Sequence, residues 1–251
     1  ALDHGMSLKD CSAFNIQFID GKPIFIDTLS FEKKGSGPWI AYKQFCQHFL
    51  APLALMIYTD VSLNQMLRVY IDGIPLNMAS SILPMRTRFK PSLLHHIHIH
   101  AKSQKHFGGK TLEKHKRKIR QNALLGMIDN LESTVRKMQW VPKGTEWSEY
   151  YSDTNYSSQA LVSKQKLLDE YIDRIRPTDV WDLGANNGFF SRTAADKGIP
   201  TIAFDIDPAA VEKNYLECVR KGELHILPLL LDLTNPSSGI GWGNEERMSL
   251  R

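Results

Sequence analysis

The stretch of sequence that decides the fold is Val180-Trp181-Asp182-Leu183-Gly184-Ala185-Asn186-Asn187-Gly188, in the last third of the chain. Residues 180–183 have the β-branched, aromatic and apolar side chains typical of a strand, and residues 184–188 supply two glycines for a tight turn. Glycine lets the backbone bend sharply and leaves room for a ligand to approach the main chain. The stretch therefore predicts a strand that is followed directly by a ligand-binding turn.

The residues around this stretch predict a regular alternation of helices and strands. An upstream helix has an apolar stripe at helical spacing and ends at Pro177; the stripe consists of Leu161, Leu168, Ile172 and Ile175. The elements after the turn are a helix over 189–197, a strand over 201–205, a helix from Pro208 to Gly222, and a strand over 226–231. Such an alternation is typical of a parallel, doubly wound sheet.

Two details refine this prediction. The helix that begins at Pro208 is expected to bury its apolar residues, which are Val211, Tyr215, Cys218 and Val219. Pro228 lies inside the third strand, and proline cannot donate a hydrogen bond to a central ladder. We therefore expect the third strand at the sheet edge, as in an open sheet wound in the order 3-2-1.

Acidic residues follow the second and third strands. Asp205 ends the second strand and Asp232 ends the third, and both belong to the same edge of the sheet as Asp182. A carboxylate at Asp205 can accept hydrogen bonds from both ribose hydroxyls of a nucleoside, and Asp232 can accept one from an adenine amino group. Asp207, directly before Pro208, is better explained as a helix N-cap.

The spacing favours S-adenosylmethionine (SAM) over a dinucleotide. A dinucleotide fingerprint, G-x-G-x-x-G, uses closely spaced glycines to seat a pyrophosphate on a helix N-terminus. Here Asn186 occupies the position two residues after Gly184, where its side chain narrows that space. SAM has no phosphate to seat, so the sequence favours SAM as the cofactor.

The same segments resemble a known family. The runs VWDLGANNGFFS, IAFDIDPAAVEKNY and LLLDLTNP resemble motifs I, II and III of class I SAM-dependent methyltransferases. The resemblance extends upstream through residues 146–151 and 154–157. With LKDCSAFNIQF, FIDTLSFE and QFCQHFLAPLALM, the chain is similar to a little-characterised bacterial group that has a long N-terminal extension.

This resemblance implies a set of cofactor-binding residues. Around the methionine part of SAM it implies Asp182, Gly184, Ala185 and Gly188. Asn186, in the same turn, is included in the predicted cofactor site, although it departs from the family pattern, where glycine is usual. It implies Asp205 on the ribose and Asp232 near the adenine. The residues that follow these two acids, Ile206 and Leu233, complete the predicted site, with the Leu233 amide facing a ring nitrogen.

The resemblance also implies that part of the domain lies outside this chain. A class I sheet continues beyond its third strand, and the chain has few residues after Asp232. We therefore expect a fragment, itself inactive and a poor binder of SAM, whose catalytic residues and acceptor pocket lie downstream of residue 251. Asn235-Pro236-Ser237 is not taken as an NPPY motif, because that motif follows a fourth strand.

The N-terminal hundred residues predict a different kind of structure. Residues 16–19 and 22–26 predict two strands joined by Asp20-Gly21, which suits a type I′ turn. Residues 39–58 are apolar enough for a buried helix, interrupted at Pro52. We expect a mainly helical α+β region that precedes a partial Rossmann-like methyltransferase fold.

Three residues in this region suggest an alternative function. Asp10 and Asn15 have the D-x-x-x-x-N spacing of a kinase catalytic loop, and Asp27 follows the hairpin where kinases have a metal-binding aspartate. The alternative is therefore a kinase-like module, with a fold like a kinase C-lobe, or a non-catalytic module, with the Rossmann half as scaffold. Ordinary turn and capping acids would explain the same residues.

The cluster His95, His96, His98 and His100 allows two interpretations. Either a strand or a helix would bring several of these imidazoles to one face, where they could bind a transition metal. No cysteine or acid lies within the cluster to complete such a site. We therefore predict a half-buried strand with outward imidazoles and no metal.

The middle of the chain is basic. Residues 102–120 contain eight lysines and arginines against one glutamate, a pattern that suits a solvated helix face better than a nucleic-acid surface. A connecting helix is expected to follow, with an apolar face made of Leu124, Leu125, Ile128, Leu131 and Val135. The predicted regions are 1–100, a basic helical linker over 101–150, and the SAM-binding half-domain over 151–251.

Composition limits the class of protein. The chain has 251 residues, of which 42% are hydrophobic and 23% charged, and a formal net charge of +4. No apolar run approaches the length of a membrane span, and no signal segment opens the sequence. Three scattered cysteines suit reduced thiols, so we expect a cytoplasmic protein without a membrane partner.

Overall fold

The computed structural model describes residues 1–107, 119–142 and 157–250. The strands are β1 (Met6–Leu8), β2 (Ile16–Ile19), β3 (Lys22–Phe25), β4 (Phe31–Lys33), β5 (Val180–Leu183), β6 (Thr201–Asp205) and β7 (Ile226–Leu230). The α-helices are α1 (Tyr42–Phe45), α2 (Ala51–Tyr58), α3 (Leu76–Ile82), α4 (Pro91–Leu93), α5 (His100–Phe107), α6 (Gln121–Lys137), α7 (Ser158–Ile175), α8 (Ser191–Ala195) and α9 (Pro208–Lys221). Segments Cys46–Leu50 and Leu94–Ile99 are π-helical.

The C-terminal sheet has the predicted topology. Its strands lie in the order β5-β6-β7 and pair in parallel, with Asp182 beside Ala203 and Asp205 beside Leu230. Pro228 lies in β7, a strand at the sheet edge, opposite Ala203. The expectation of a parallel, Rossmann-like arrangement with β7 outermost is therefore confirmed.

The helices of this half begin and end where local signals place them. Asp207 caps α9, because its Oδ1 accepts a hydrogen bond from the Ala209 amide at 2.8 Å. Gly222 ends the same helix in the left-handed conformation, with φ of 69°. The helix after the glycine turn is shorter than predicted, since α8 covers Ser191–Ala195 only.

The buried face of α9 differs from the prediction. Val211 is half-buried, whereas Tyr215 and Val219 are 43% and 62% exposed. The buried residues of this helix are Ala209, Ala210, Asn214 and Cys218. The core that α9 joins is built of small side chains, including Ala185, Ala195 and Ala203, so the helix approaches the sheet with its small residues.

The N-terminal region contains the predicted hairpin. Strands β2 and β3 pair antiparallel around Asp20 and Gly21, which have positive φ angles of 50° and 68°. These angles suit the tight turn that Asp-Gly predicts. The flanking strands β1 and β4 pair with each other, from Met6 beside Lys33 to Leu8 beside Phe31.

Pro52 does not interrupt the buried helix as expected. Residues 42–58 follow one helical path that changes from π to α geometry at Ala51. Pro52 lies just after this change and has no N–H to donate to the preceding turn, where the Gln47 carbonyl accepts a hydrogen bond from the Ile74 amide at 3.0 Å instead. Leu50 and Leu55, before and after this junction, are fully buried.

The predicted strand at the histidine cluster is wrong. Residues 91–107 are helical throughout, and Leu93, Ile97 and Ala101 enter the N-terminal core at a helical spacing of four. Burial of this apolar stripe therefore favours a helix over a strand, and the helix also places His96 and His98 in the protein interior. His95 remains exposed.

Each buried imidazole of this cluster has specific partners. His96 Nδ1 lies 2.7 Å from the Tyr42 hydroxyl, and its Nε2 lies 2.9 Å from Asn130 Oδ1 on α6. His98 Nδ1 and Nε2 lie 2.8 Å and 2.9 Å from the hydroxyls of Ser80 and Thr87. Within residues 1–107, 119–142 and 157–250, no group of three or more His, Cys, Asp or Glu is placed to hold a metal.

Helix α6 belongs to the N-terminal core. Leu131 is buried in that core, and Met127 and Val135 pack against it. The predicted region boundaries at residues 100 and 150 stay a prediction.

No helix in the described part of the chain is both long enough and apolar enough to cross a bilayer.

Candidate functional site

A cavity of about 950 Å³ opens where the three parallel strands end. All the predicted SAM-binding residues except Gly188 line it, namely Asp182, Gly184, Ala185, Asn186, Asp205, Ile206, Asp232 and Leu233. Parallel strands bring their carboxyl ends to one edge of a sheet, which explains why residues 50 positions apart meet there. The volume suits a nucleoside-sized ligand.

Asp205 is held rigidly at the centre of this edge. Its Oδ2 accepts a hydrogen bond from the Asn186 amide at 2.7 Å, and its Oδ1 accepts one from the Asp207 amide at 2.8 Å. Each carboxylate oxygen has a second lone pair, so the group can still accept hydrogen bonds from a ligand. The sequence placed this carboxylate correctly at a strand end, but it did not predict the link to the glycine turn.

Asp182 and Asp232 are each oriented by a hydroxyl. Ser191 Oγ donates to Asp182 Oδ2 at 2.7 Å, which joins β5 to the first turn of α8. Thr234 donates to Asp232 Oδ1 through its hydroxyl at 2.7 Å and its amide at 2.8 Å. These hydrogen bonds, chiefly the one from the Thr234 hydroxyl, lower the pKa of Asp232, so this carboxylate keeps its negative charge at neutral pH.

The two glycines of the turn have different surroundings. Gly184 has a φ of 87°, and a Cβ atom placed on it would meet no atom within 4 Å, because it faces the cavity. Gly188 has a φ of 75°, and a Cβ atom there would collide with the buried side chain of Asn214. Gly184 thus leaves space for a ligand, whereas Gly188 leaves space for α9.

The amides of the turn already have acceptors. Asn186 N donates to Asp205, and Asn187 N donates to the Asn186 side chain at 2.8 Å. Gly188 N donates to the Ala185 carbonyl at 2.9 Å, and Phe189 N to the Asn187 side chain at 3.2 Å. A pyrophosphate needs free amides at a helix N-terminus, and this turn offers none in this arrangement.

Helix α7 forms a wall of the cavity that the sequence analysis did not assign to the site. Lys164, Leu168, Tyr171, Ile172 and Ile175 line it. These residues are spaced by about one helical turn, so the signal was present in the predicted stripe of Leu161, Leu168, Ile172 and Ile175. Lys164 lies on the same face between Leu161 and Leu168, but it was left out of the stripe because it is charged.

The residues of the kinase-like hypothesis are only partly brought together. Ser30 Oγ accepts a hydrogen bond from Asn15 Nδ2 at 3.3 Å and donates one to Asp27 Oδ2 at 2.5 Å. Asp10 Oδ1 instead accepts hydrogen bonds from Gln44 Nε2, at 2.7 Å, and from the backbone of residue 12. Asp27 also caps the turn at Thr28–Ser30, as an ordinary capping acid would, and the Ser30 hydrogen bond lowers its pKa.

Most of the basic stretch at residues 102–120 lies outside the described residues, so nucleic-acid binding there stays a prediction.

Comparison with curated proteins shows a relative that is similar along almost the whole chain. The chain is 32% identical over 253 residues to the nodulation protein NoeA of Rhizobium meliloti (strain 1021). The similarity covers 98% of this chain and 53% of NoeA, so the chain spans about half the length of the curated relative it matches. No protein-family model matches the chain.

Two solved structures have local similarity. A 2.2 Å crystal structure of WbdD matches 39% of this chain and 23% of its own, with 20% identity and a TM-score of 0.26. Coclaurine N-methyltransferase bound to N-methylheliamine and SAH matches 70% of this chain and 50% of its own, with 18% identity and a TM-score of 0.29. TM-scores this far below 0.5 do not indicate a shared overall fold.

Proposed function

We propose that the cavity at the ends of β5, β6 and β7 binds SAM, and that the protein is a SAM-dependent methyltransferase. One observation carries this proposal: Asp182, Asp205 and Asp232 lie at or just beyond the carboxyl ends of three parallel strands and line one cavity. SAM has a net positive charge from its sulfonium and ammonium groups. A cavity with three carboxylates attracts such a ligand and repels phosphates.

Each part of SAM has a suitable group in this cavity. The two carboxylate oxygens of Asp205, fixed by backbone amides, accept hydrogen bonds from the ribose hydroxyls. Asp232 accepts one from the adenine amino group, and the exposed side chains of Ile206 and Leu233 offer apolar surface to the ring. Gly184 and Ala185 leave room beside Asp182 for the methionine part.

The proposed reaction demands little acid–base chemistry from these residues. SAM supplies an electrophilic methyl group, and a nucleophilic acceptor needs mainly to be aligned with the carbon–sulfur bond. In this assignment the described residues bind and orient the cofactor. The acceptor and the residues that align it are unassigned.

A dinucleotide is the main competing ligand. The amides of the glycine turn already donate to protein acceptors, so they are not available to a pyrophosphate. The three carboxylates of the cavity would also repel its negative charge. SAM avoids both difficulties because it has no phosphate. The kinase-like alternative is not supported by comparable geometry, since Asp10 is engaged by Gln44.

Isothermal titration of the full-length protein tests the proposal. S-adenosylhomocysteine and SAM are expected to bind at micromolar to millimolar concentration, and NAD⁺ is expected not to bind at the same concentrations. Absence of heat with both adenosyl compounds at millimolar concentration would sink the proposal. Binding of NAD⁺ in their place would assign the cavity to a dinucleotide.

A further inference from the structure

Lys164 places a positive charge at the side of the cavity near β5. Asp205 ends β6 and Asp232 follows β7, whereas Asp182 lies in β5. Lys164 lies on α7, which packs against α8, the helix that follows β5. Among the described residues that line the cavity, Lys164 is the only one with a cationic side chain. The described charges beside β6 and β7 are therefore carboxylates, whereas the side near β5 has both the Asp182 carboxylate and the Lys164 ammonium group.

The position of Lys164 is set by Phe190. The Lys164 ammonium group lies 4.3 Å from the centroid of the Phe190 ring, a distance typical of a cation–π contact. Phe190 directly precedes Ser191, whose hydroxyl donates to Asp182. The ammonium group is thus held on the side of the cavity where Asp182 and the glycine turn lie.

Helix α7 is itself fixed against the sheet. Ile172 is buried, and Lys197, which follows α8, forms ion pairs with Asp169 at 2.8 Å and Asp173 at 2.5 Å. These contacts set the rotation of α7 about its axis and direct the face with Lys164 toward the cavity. The side chain is therefore placed by the fold, although it is exposed to solvent.

Lys164 has no acidic partner in the described part of the chain. Neither Asp182 nor any other described carboxylate forms an ion pair with its ammonium group. A cation beside an aromatic face in a ligand-sized cavity is available to an anionic group of the ligand.

We propose that Lys164 binds the carboxylate of the amino-acid end of SAM. This assignment rests on the proposed function, and it makes Lys164 a residue that selects adenosyl compounds bearing an α-carboxylate. In this pose the adenosine lies beside Asp205 and Asp232, and the amino-acid end extends past Gly184 toward α7. The ligand then places its one negative group beside the Lys164 ammonium group.

The test compares two ligands that differ only in the carboxylate. They are S-adenosylhomocysteine and S-adenosyl-3-thiopropylamine, its decarboxylated analogue, each titrated into the full-length protein. Lys164→Met is expected to weaken binding of the first about tenfold, since a hydrogen bond to a charged group contributes about 1.5 kcal/mol. Binding of the decarboxylated analogue should not weaken, and Lys164→Arg should recover most of the loss.

Lys166→Met is the matched control, because Lys166 is an exposed lysine on the same helix that does not line the cavity. Lys166→Met should leave the affinity for both ligands unchanged. If Lys164→Met weakens both ligands equally, or neither, Lys164 does not bind the carboxylate even though the cavity binds adenosyl compounds. If the unsubstituted protein binds neither ligand, the proposed function fails first, and the role of Lys164 fails with it.

Discussion

The buried side chain of Asn214 lies directly against Gly188, in the space that a Cβ atom at residue 188 would occupy. Gly188→Ala should therefore destabilise the protein by about 2 to 4 kcal/mol, from left-handed backbone strain and overpacking together. Urea unfolding measures this loss. The double variant Gly188→Ala, Asn214→Ala should lose less than the sum of the single losses, because it removes the collision. Strictly additive losses would contradict the proposed contact.

Gly184 provides the contrasting case within the same turn. Gly184→Ala meets no neighbour, so only the positive φ of 87° opposes it, at a cost of about 1 kcal/mol. The added methyl group would project into the cavity and should weaken S-adenosylhomocysteine binding by about tenfold or more. Calorimetric titration and urea unfolding together separate the two effects. A variant that binds normally would mean that the ligand does not approach this glycine.

Asp205 is expected to contribute strongly to ligand binding. The two carboxylate oxygens of Asp205 accept hydrogen bonds from the Asn186 and Asp207 amides. Asp205→Asn keeps the size of the side chain but removes its charge and replaces one of these acceptor oxygens with an NH₂ group. S-adenosylhomocysteine affinity should fall about 10- to 100-fold, since hydrogen bonds to charged groups contribute about 1.5 to 3 kcal/mol.

Asp207→Asn is the control for this variant. Asp207 does not line the cavity, and asparagine is as good an N-cap as aspartate, so α9 should remain intact and binding unchanged. Equal losses in the two variants would indicate a general disturbance of the loop after β6 rather than a lost ligand contact.

The sequence predicted those features of the fold that have local causes. The strand β6 and the ends of α9 follow from side-chain type and from Pro208 and Gly222. Parallel pairing also follows, because strands separated by helices must cross over. The edge position of β7 was predictable from Pro228 alone.

Features that depend on packing between distant segments were not predictable in this way. Asn214 has no local signal that marks it as the neighbour of Gly188. The histidine cluster was assigned to a strand because His96 and His98 alternate, whereas burial of Leu93 and Ile97 made the segment helical. Lys164 was missed because a charge on an apolar stripe is usually a solvated residue.

Arg192 and Glu223 form a linkage that should matter for stability. Two parallel hydrogen bonds of 2.9 Å and 2.8 Å join them, and Arg192 also donates to the Asn187 carbonyl at 2.8 Å. The side chains are only 14% and 17% exposed, so Arg192→Met leaves a largely buried carboxylate with only its longer ion pair to Lys221 Nζ, at 3.8 Å. The expected loss is about 2 kcal/mol in urea unfolding, with a smaller loss for Arg192→Lys.

The exposed pair of Arg220 and Glu217 is the control for this linkage. Their side chains are 68% and 33% exposed, and solvent screens the interaction. Arg220→Met should leave the unfolding midpoint almost unchanged. If Arg192→Met were equally harmless, Lys221, which lies 3.8 Å from Glu223 Oε1, or solvent would have to replace Arg192 as the partner of this carboxylate.

The buried imidazoles predict a pH-dependent stability. Burial, the main cause, lowers the pKa of His96 and His98, and for His98 the nearby cations Arg88 and Lys102 add to the effect. Burial likewise lowers the pKa of His48 and His100. Below the unfolded-state pKa of about 6.5, the unfolded chain therefore binds more protons than the folded chain. Stability should be greatest above that pH and fall as the pH drops toward 5, by at most about 1.4 kcal/mol per unit for each imidazole.

Unfolding in urea at several pH values between 5 and 8 measures this dependence. His98→Gln should be less stable at pH 7.5, because glutamine cannot reproduce both contacts with Ser80 and Thr87, but its stability should change less with pH. His95→Gln is the matched control, since His95 is exposed, and it should keep the slope of the unsubstituted protein. A slope that is the same in all three proteins would show that His98 does not titrate on unfolding, and that the loss at low pH comes from other groups.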